Sequence, residues 1–227
     1  MVVDRARARA YAAAAVASGE PLRWFEELYA AASAGEAAVP WADLRPNPHL
    51  ATWPLLDQLH PNSTLVVGCG LGDDAEWLAA RGLAVTAFDI APSAVSACRL
   101  RFPGSSVDYI VADLLDLPSE WAQQRFDLVV EVYTVQVLPP GSRERAASFG
   151  ALASVTGGTL VVIARGREPA DDPGSMPWPL TAEEMTRFEG LGLTKIAFED
   201  YPDPEEPDVR RFRAAYRRGT TRGTGQP

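Results

Sequence analysis

The chain has 227 residues, of which 47% are hydrophobic, and its 30 acidic and 21 basic side chains give a formal net charge of −9. This composition is sufficient for one sizeable buried core, so we expect a single globular domain with short additions. The acidic balance disfavours nucleic acid as a partner, because nucleic-acid phosphates carry the same sign of charge.

The cysteines and histidines show no spacing that suits a metal or a disulfide framework. Cys69 and Cys98 are far apart, and His49 and His60 form no ligand pattern with them. We therefore predict no metal site. We interpret His49, within the stretch RPNPHL, as structural or exposed and as distant from any reaction centre.

The N-terminal segment combines three arginines with the stretch AYAAAAVASG, a pattern that resembles a short secretory signal. Because the stretch is nearly all alanine, which is a strong helix former and a weak hydrophobe, we predict an ordinary helix over residues 4–17. No apolar run approaches the roughly 18 to 20 residues that a membrane span requires. We expect a cytoplasmic protein with no membrane partner.

A second helix is predicted from Pro21 to Gly35, because Trp24, Leu28 and Ala31 share one helical face. The next stretch, VPWADLRPNPHL, contains four prolines and is predicted to be an ordered connector without a helix. We expect residues 1–48 to form helices and a lid segment.

From residue 64 onwards, short apolar runs alternate with helical periods near residues 73–81, 92–102 and 142–155. The apolar runs read TLVVG, AVTAFD, VDYIVAD, FDLVVEV and GTLVVIA. This alternation is typical of βαβ units around a parallel sheet. It predicts an α/β fold over residues 49–218, Rossmann-like and doubly wound, with a mostly parallel seven-stranded sheet and an N-terminal helical cap.

The C-terminal part of the chain predicts a final antiparallel pair of strands. Thr181 and Glu184 have the spacing of a capping box and predict a helix over the stretch TAEEMTRFEGLG. Two strand-like runs follow, TKIAFEDY and VRRFRAAYR, and the basic alternation over residues 210–218 suggests an edge strand with one solvated face. The tail, residues 219–227, has little apolar content and is predicted to be disordered.

Three glycines lie at alternate positions directly after the first predicted strand. Gly68, Gly70 and Gly72 permit positive φ and close approach of a ligand to the backbone, although a tight turn alone would also use them. Asp89 ends the second strand, where an acid can accept hydrogen bonds from both ribose hydroxyls of an adenosine. The pattern favours a nucleotide-like ligand.

Two acids follow the glycines and bear on the choice of ligand. Asp73 and Asp74 would repel a pyrophosphate at this helix start, but they suit a ligand that carries an ammonium or a sulfonium. The alternative is that they only cap the helix electrostatically. S-adenosylmethionine carries both cations and is the predicted cofactor.

These residues resemble the class I S-adenosylmethionine-dependent methyltransferases, over about residues 38–217. The stretch LVVGCGLGDDAEWLAARGLAVTAFDIAPSAV is similar to the first motif and second-strand acid of that superfamily. The resemblance implies that Gly68, Gly70 and Asp73 cradle the amino-acid end of the cofactor and that Asp89 binds its ribose. VADLLDLP resembles the segment beside the adenine, which implies a contact for Asp113 and ring packing for Leu114. The full predicted cofactor-binding set is Trp24, Trp41, Gly68, Cys69, Gly70, Gly72, Asp73, Asp89, Ile90, Asp113, Leu114 and Glu131.

Within the superfamily, the chain is most similar to the thiopurine, thiol, halide and tellurite methyltransferases. The resemblance is carried by Trp24 and by the stretches PWADLRPNP and PWPLTAEEM. Ala42, Leu44 and Val132 depart from that pattern. The fourth strand and its loop, RFDLVVEVYTVQVLPPGSR, resemble the segment beneath the transferable methyl group.

Tyr133 and Gln136 are the candidate catalytic residues, each in a positioning role, because they follow the fourth strand. Tyr133 would equally serve as a pocket wall. Packing in the core is the preferred reading for Trp24, Trp41 and Trp178, and pairing with local acids is preferred for Arg165.

The predicted function is methyl transfer to a small-molecule nucleophile, a thiol or other soft acceptor before a phenol or other hydroxyl. No base is identified, so a non-catalytic module that binds S-adenosylmethionine is an alternative. A nicotinamide oxidoreductase is a third reading, which the two acids after Gly72 disfavour.

Overall fold

The structure is a computed structural model that describes residues 5–20 and 22–219. The predicted helix start at Pro21 and nearly all of the tail predicted to be disordered lie outside the described residues. The helices are α1 (Arg5–Ala17), α2 (Arg23–Ser33), α3 (Pro48–Ala51), α4 (Asp73–Ala80), α5 (Pro92–Arg101), α6 (Ser119–Gln124), α7 (Arg143–Val155), α8 (Ala182–Met185) and α9 (Arg187–Gly190). Short 3-10 turns span Leu56–Gln58 and Val135–Val137.

The strands form one sheet at the centre of the molecule. They are β1 (Thr64–Val67), β2 (Val85–Asp89), β3 (Asp108–Val111), β4 (Phe126–Val132), β5 (Thr156–Arg167), β6 (Leu180–Thr181), β7 (Leu193–Pro202) and β8 (Arg210–Arg218). Their order is β3-β2-β1-β4-β5-β8-β7, with the two-residue β6 beside β5. Strands β1 to β5 are parallel, and β8 runs antiparallel to both β5 and β7. The predicted Rossmann-like sheet with a final antiparallel pair is confirmed.

The sheet is buried on both faces because its central strands contain continuous apolar runs. In β4, Val129 packs into the core cluster on one face and Val130 into the cluster on the other. Such continuous apolar runs are expected where helices cover both faces of a parallel sheet. The carboxyl ends of the parallel strands therefore meet at one edge, where loops rather than helices lie.

The N-terminal helices pack over this edge. The Glu26 carboxylate of α2 accepts hydrogen bonds from the backbone N–H of Ser93, at 3.0 Å, and from its hydroxyl, at 2.6 Å. These bonds satisfy two donors at the start of α5 and fix α2 to it. Elsewhere on α2, the buried side chains of Trp24 and Leu28 pack in one apolar cluster with Ala8 of α1.

Three sequence predictions need correction. The proline-rich connector contains the short helix α3, which starts at Pro48 because proline suits a first helical position and Asn47 caps it through its side chain. The capping box at Thr181 is present, but the helix that follows has only four residues. Strand β8 is not an edge strand, since it pairs with β5 and β7; the sheet ends at β7.

Candidate ligand and methyl-transfer site

A cavity of about 740 Å³ opens at the carboxyl ends of the parallel strands. It is lined by the turn after β1, the ends of β2, β3 and β4, the N-terminal segment and the loop between β7 and β8. Ligands of open α/β sheets bind at this edge, and the volume is typical of small-molecule sites. The cavity brings together most, but not all, of the predicted site residues.

The glycine turn is required by the backbone and by neighbouring side chains. Gly68, Gly70 and Gly72 have φ angles of +62°, +54° and +88°. A Cβ on Gly68 would lie 2.4 Å from the Thr134 hydroxyl, and one on Gly72 would lie 2.5 Å from the Tyr109 hydroxyl. Gly68 and Gly70 line the cavity, whereas Gly72 does not. Packing within the protein therefore accounts for Gly72, in place of the predicted ligand contact.

Asp89 presents a buried carboxylate to the cavity at the end of β2. It is 6% exposed, and its two oxygens accept hydrogen bonds from the backbone N–H groups of Gly70, at 2.9 Å, and Ala91, at 3.0 Å. Burial raises the pKa of this carboxyl, while those N–H groups oppose the rise. The anion has no cationic partner among the described residues. Such a group suits a ligand that donates hydroxyl hydrogen bonds.

The two acids after the glycines have different environments. Asp73 forms a two-pronged ion pair with Arg101, at 2.9 and 3.1 Å, so its charge is neutralised within the protein. Asp74 accepts a hydrogen bond from the backbone N–H of Asn47 at 2.6 Å, and burial raises its pKa to about 6. Both line the cavity. Neither caps α4 through a side-chain hydrogen bond, since its N-cap is Gly72.

The predicted adenine segment also reaches the cavity. Asp113 and Leu114 line it just after β3, together with Ile90 and Cys69 from the neighbouring turns. The Asp113 carboxylate accepts the backbone N–H of Leu115 at 2.8 Å, which holds it at the strand end. A buried apolar side chain beside an acid fits a flat heterocycle with exocyclic donors.

Tyr133 reaches the cavity through a strained backbone. Its φ is +62°, which is unfavourable for an aromatic residue, and its N–H donates to the Ile163 carbonyl at 3.0 Å. Strain of this kind is typical of functional sites. Burial raises the Tyr133 pKa, so the phenol is neutral at physiological pH. Gln136 also lines the cavity, and its side-chain oxygen accepts the Arg165 N–H at 2.7 Å, which fixes its orientation.

His49 contradicts its predicted position. It is buried, it lines the cavity, and its Nε2 lies 3.0 Å from Asp203 Oδ2 while its Nδ1 lies 2.9 Å from the Tyr201 hydroxyl. Asp203 also accepts Arg211 Nε at 2.6 Å. Burial and the nearby Arg211 lower the His49 pKa, so the imidazole is neutral at pH 7. Because the carboxylate can only accept, Nε2 carries the proton.

The tryptophans divide between core and cavity. Trp41 lines the cavity, and its Nε1 donates to the Tyr29 hydroxyl at 3.1 Å. Trp24 is 1% exposed and does not line the cavity; it packs edge-on against Trp41, with ring centroids 5.7 Å apart. Trp178 is also outside the cavity wall, and its Nε1 donates to the Gly174 carbonyl. The structure therefore places Trp24 as support for Trp41.

Glu131 is the remaining predicted residue that the structure keeps away from the cavity. It is fully buried, and Oε1 accepts the backbone N–H groups of Thr134, at 2.6 Å, and Val135, at 2.9 Å. These bonds hold the turn that follows β4, so Glu131 positions Tyr133 and Thr134 from beneath. Arg165 lines the cavity with its side chain 3.8 Å from Glu206, in agreement with the predicted pairing with a local acid.

Sequence reasoning missed Tyr29, Asp203 and Arg211. All three are buried and line the cavity. Tyr29 follows Leu28 on α2 and lies roughly 100° around the helix from it, so the periodicity of Trp24 and Leu28 did not indicate that Tyr29 is buried. Asp203 and Arg211 carry no local signal, because the hairpin from β7 to β8 folds them onto the site.

Comparisons with known proteins agree with this architecture. Residues 65–155 match the family model for a methyltransferase domain. No curated protein sequence matches the chain. The structure is similar to one described as "Conversion of a Disulfide Bond into a Thioacetal Group during Echinomycin Biosynthesis", with a TM-score of 0.67 and 24% identity over 85% of this chain and 92% of the other.

Two further structures show the same fold. The N-methyltransferase NodS from Bradyrhizobium japonicum WM9, in complex with S-adenosylhomocysteine, has a TM-score of 0.63 and 20% identity over 87% of this chain and 97% of that one. The 1,6-didemethyltoxoflavin-N1-methyltransferase from Burkholderia thailandensis has a TM-score of 0.63 and 17% identity over 86% of each chain. At these identities the similarity concerns the fold.

The sheet order and the matched segment together define a class I methyltransferase fold. The match to a methyltransferase-domain model covers residues 65–155 and agrees with the resemblance predicted from the motifs in that segment. The closer resemblance to the thiopurine branch stays a prediction. Among the described residues, no cluster of side chains suits a metal ion and no helix is long and apolar enough to cross a bilayer.

Proposed function

We propose that this protein transfers a methyl group from S-adenosylmethionine to a small-molecule nucleophile, preferably a thiol or other soft acceptor. The main support is that one cavity is lined by both Asp89 and Tyr133. The Asp89 carboxylate has no cationic partner among the described residues, and Tyr133 is held after β4 by a strained backbone. The first group suits a ribose, and the second stands where a reacting atom would lie.

The residues of the cavity fit this cofactor better than a dinucleotide. Asp74, Asp89 and Asp113 surround the predicted donor end, where a pyrophosphate would be repelled. Asp73 differs from the prediction, because its carboxylate forms an ion pair with Arg101. Asp74 is therefore the acid that would pair with the ammonium group of the cofactor. When bound, S-adenosylmethionine supplies an electrophilic methyl group for in-line displacement.

The protein's own contribution is position and exclusion of water. The described part of residues 1–48 serves as the lid: Ala8 and Arg9 of α1, and Tyr29 of α2, line the cavity. Gln136 and Tyr133 orient the acceptor from beneath. A displacement reaction gains much of its rate from such placement. A soft thiol needs less help with proton removal than an alcohol does. We expect the protein to act in the cytoplasm, without nucleic acid or membrane as partner.

Calorimetry with S-adenosylhomocysteine tests the cofactor, and NADH serves as the comparison ligand. We expect saturable binding of the former only. No heat of binding at millimolar S-adenosylhomocysteine, or tighter binding of NADH, contradicts the proposal. A panel of thiols, selenols, phenols and amines with labelled donor then tests the reaction. Donor binding without product from any acceptor favours the alternative, a non-catalytic module that binds S-adenosylmethionine.

A further inference from the structure

The Arg211 guanidinium forms part of the cavity wall and is only partly satisfied by the protein. Arg211 lies on β8, is 8% exposed, and donates Nε to Asp203 Oδ2 at 2.6 Å. Its Cζ lies 5.1 Å from the centroid of the Tyr133 ring. Within residues 5–20 and 22–219, its two terminal nitrogens have no hydrogen-bond partner. The cavity wall therefore carries N–H donors of Arg211 that no acceptor within the described residues satisfies.

The acids near Arg211 cannot supply the missing acceptors. Asp203 already accepts His49 Nε2 and the backbone N–H groups of Glu205, at 2.8 Å, and Glu206, at 3.0 Å. The Glu205 carboxylate pairs with Arg45 at 3.2 Å, and Glu206 lies 3.8 Å from Arg165. Because Arg211 lines the cavity, a ligand that supplies anionic acceptors there gains charge-assisted hydrogen bonds.

We propose that the terminal nitrogens of Arg211 bind an oxyanion of the methyl acceptor, beside the Tyr133 ring. A guanidinium fork matches a planar anion, and the ring offers an aromatic acceptor a surface to pack on. The chemistry fits a carboxylate or an ionised phenol. This inference rests on the proposed function, and it narrows the acceptor to small aromatic acids.

Fluorine NMR titrations with two matched pairs of probes test the proposal on the full chain. The first pair is 4-fluorobenzoate and 4-fluorobenzamide, and the second is 2-fluoro-4-nitrophenolate and its methyl ether. Each titration is run with and without S-adenosylhomocysteine. We expect at least one anion to bind ten-fold or more tightly than its neutral partner. The pair that shows the preference identifies the carboxylate or the phenolate as the source.

The variants R211Q and R210Q assign the preference to one side chain. Arg210 is the neighbour on β8 and pairs with Asp200, so R210Q is a matched control that keeps the anion preference. R211Q should abolish the preference and leave S-adenosylhomocysteine binding unchanged. R211K, which retains the charge without the fork, should bind the anion with intermediate affinity.

Several outcomes overturn the inference. Equal affinities for anion and neutral probe in the unmodified protein do so without any variant, so a failure of R211Q to fold leaves the test intact. A loss of S-adenosylhomocysteine affinity in folded R211Q would assign Arg211 to the donor's carboxylate instead. If S-adenosylhomocysteine fails to bind the unmodified protein, the proposed function fails, whereas the probe titrations without it still decide the anion site.

Discussion

Two buried aspartates face the same cavity and have opposite electrostatic environments. Asp89 is 6% exposed and Asp203 is 5% exposed. Burial raises the pKa of Asp89, and only backbone N–H groups oppose the rise. Burial also acts on Asp203, but the Arg211 hydrogen bond and two backbone N–H groups outweigh it and hold the Asp203 pKa well below its usual range.

The difference separates a carboxylate kept for a ligand from one that stabilises the fold. A carboxylate whose pKa is raised on folding costs free energy when it is ionised, and such a cost is accepted at binding sites. A carboxylate whose pKa is lowered adds stability at neutral pH. At the donor end of the cavity, around Asp89, the ionised carboxylate lowers the stability of the fold. At the hairpin end, where the β7–β8 hairpin places Asp203 and Arg211, the ionised carboxylate raises it.

Removal of Asp203 should have the largest effect on stability. Asp203→Ala leaves the buried Arg211 without its partner and should lower the free energy of unfolding by about 3 to 5 kcal/mol at pH 7. Urea denaturation measures this change. Asp200→Ala, which removes a more exposed partner of Arg210, is the control and should cost no more than about 1 kcal/mol. Equal effects would show that Asp203 does not anchor the hairpin end.

Replacement of Asp89 should affect binding rather than stability. Asp89→Asn should weaken S-adenosylhomocysteine binding by roughly 2 to 4 kcal/mol, because charge-assisted hydrogen bonds to the ribose are lost. The unfolding free energy should change by less than about 1 kcal/mol, since removal of a costly charge offsets the lost bond to a backbone N–H. Calorimetry and urea denaturation give the two values. The exposed Asp108→Asn should change neither.

The donor end could be predicted from the sequence because its residues lie in local patterns. Gly68 and Gly70 follow one strand, Asp89 ends the next, and Asp113 follows the third. In a parallel sheet all carboxyl ends meet at one edge, so the alternation of strands and helices predicts that Gly68, Gly70 and Asp89 share a cavity, while the role of Asp113 came from the resemblance of its segment to class I methyltransferases. No long-range contact had to be known.

The hairpin end could not be predicted, because its contacts join residues far apart in the chain. The His49 to Asp203 hydrogen bond spans 154 positions. The prediction that β8 is an edge strand was wrong. Its arginines suggested a solvated face, whereas Arg210 and Arg213 form ion pairs with Asp200 and Glu199 on β7. Cross-strand ion pairs make a basic strand compatible with the sheet interior, and residue type alone does not show the partner.

Glu131 has a raised pKa like Asp89, but its carboxylate does not line the cavity. Burial raises its pKa from 4.5 to about 7, against two backbone N–H groups and Arg145. Its second oxygen, Oε2, has no partner among the described residues. If a raised pKa reflects burial alone, Glu131 should cost stability when ionised and yet contribute no ligand contact.

The variant Glu131→Gln tests this cost through its pH dependence. The folded protein binds the Glu131 proton more tightly than the unfolded chain, so this residue's contribution to stability falls as pH rises from about 4.5 to about 7. Glutamine keeps an acceptor for Thr134 and Val135 and does not titrate. The variant's stability relative to the unmodified protein should therefore rise by at most roughly 3 kcal/mol between pH 4 and pH 8.

Urea denaturation across that pH range measures the difference, and the contribution of Asp74, whose pKa is about 6, cancels because both proteins contain it. The variant Glu120→Gln, at an exposed position, is the control for loss of one carboxylate. If the stability difference between Glu131→Gln and the unmodified protein stays constant with pH, the fold does not raise the pKa of Glu131. Full burial would then be insufficient to raise a carboxyl pKa beside this edge of the sheet, and the raised pKa of Asp89 would need a cause other than burial.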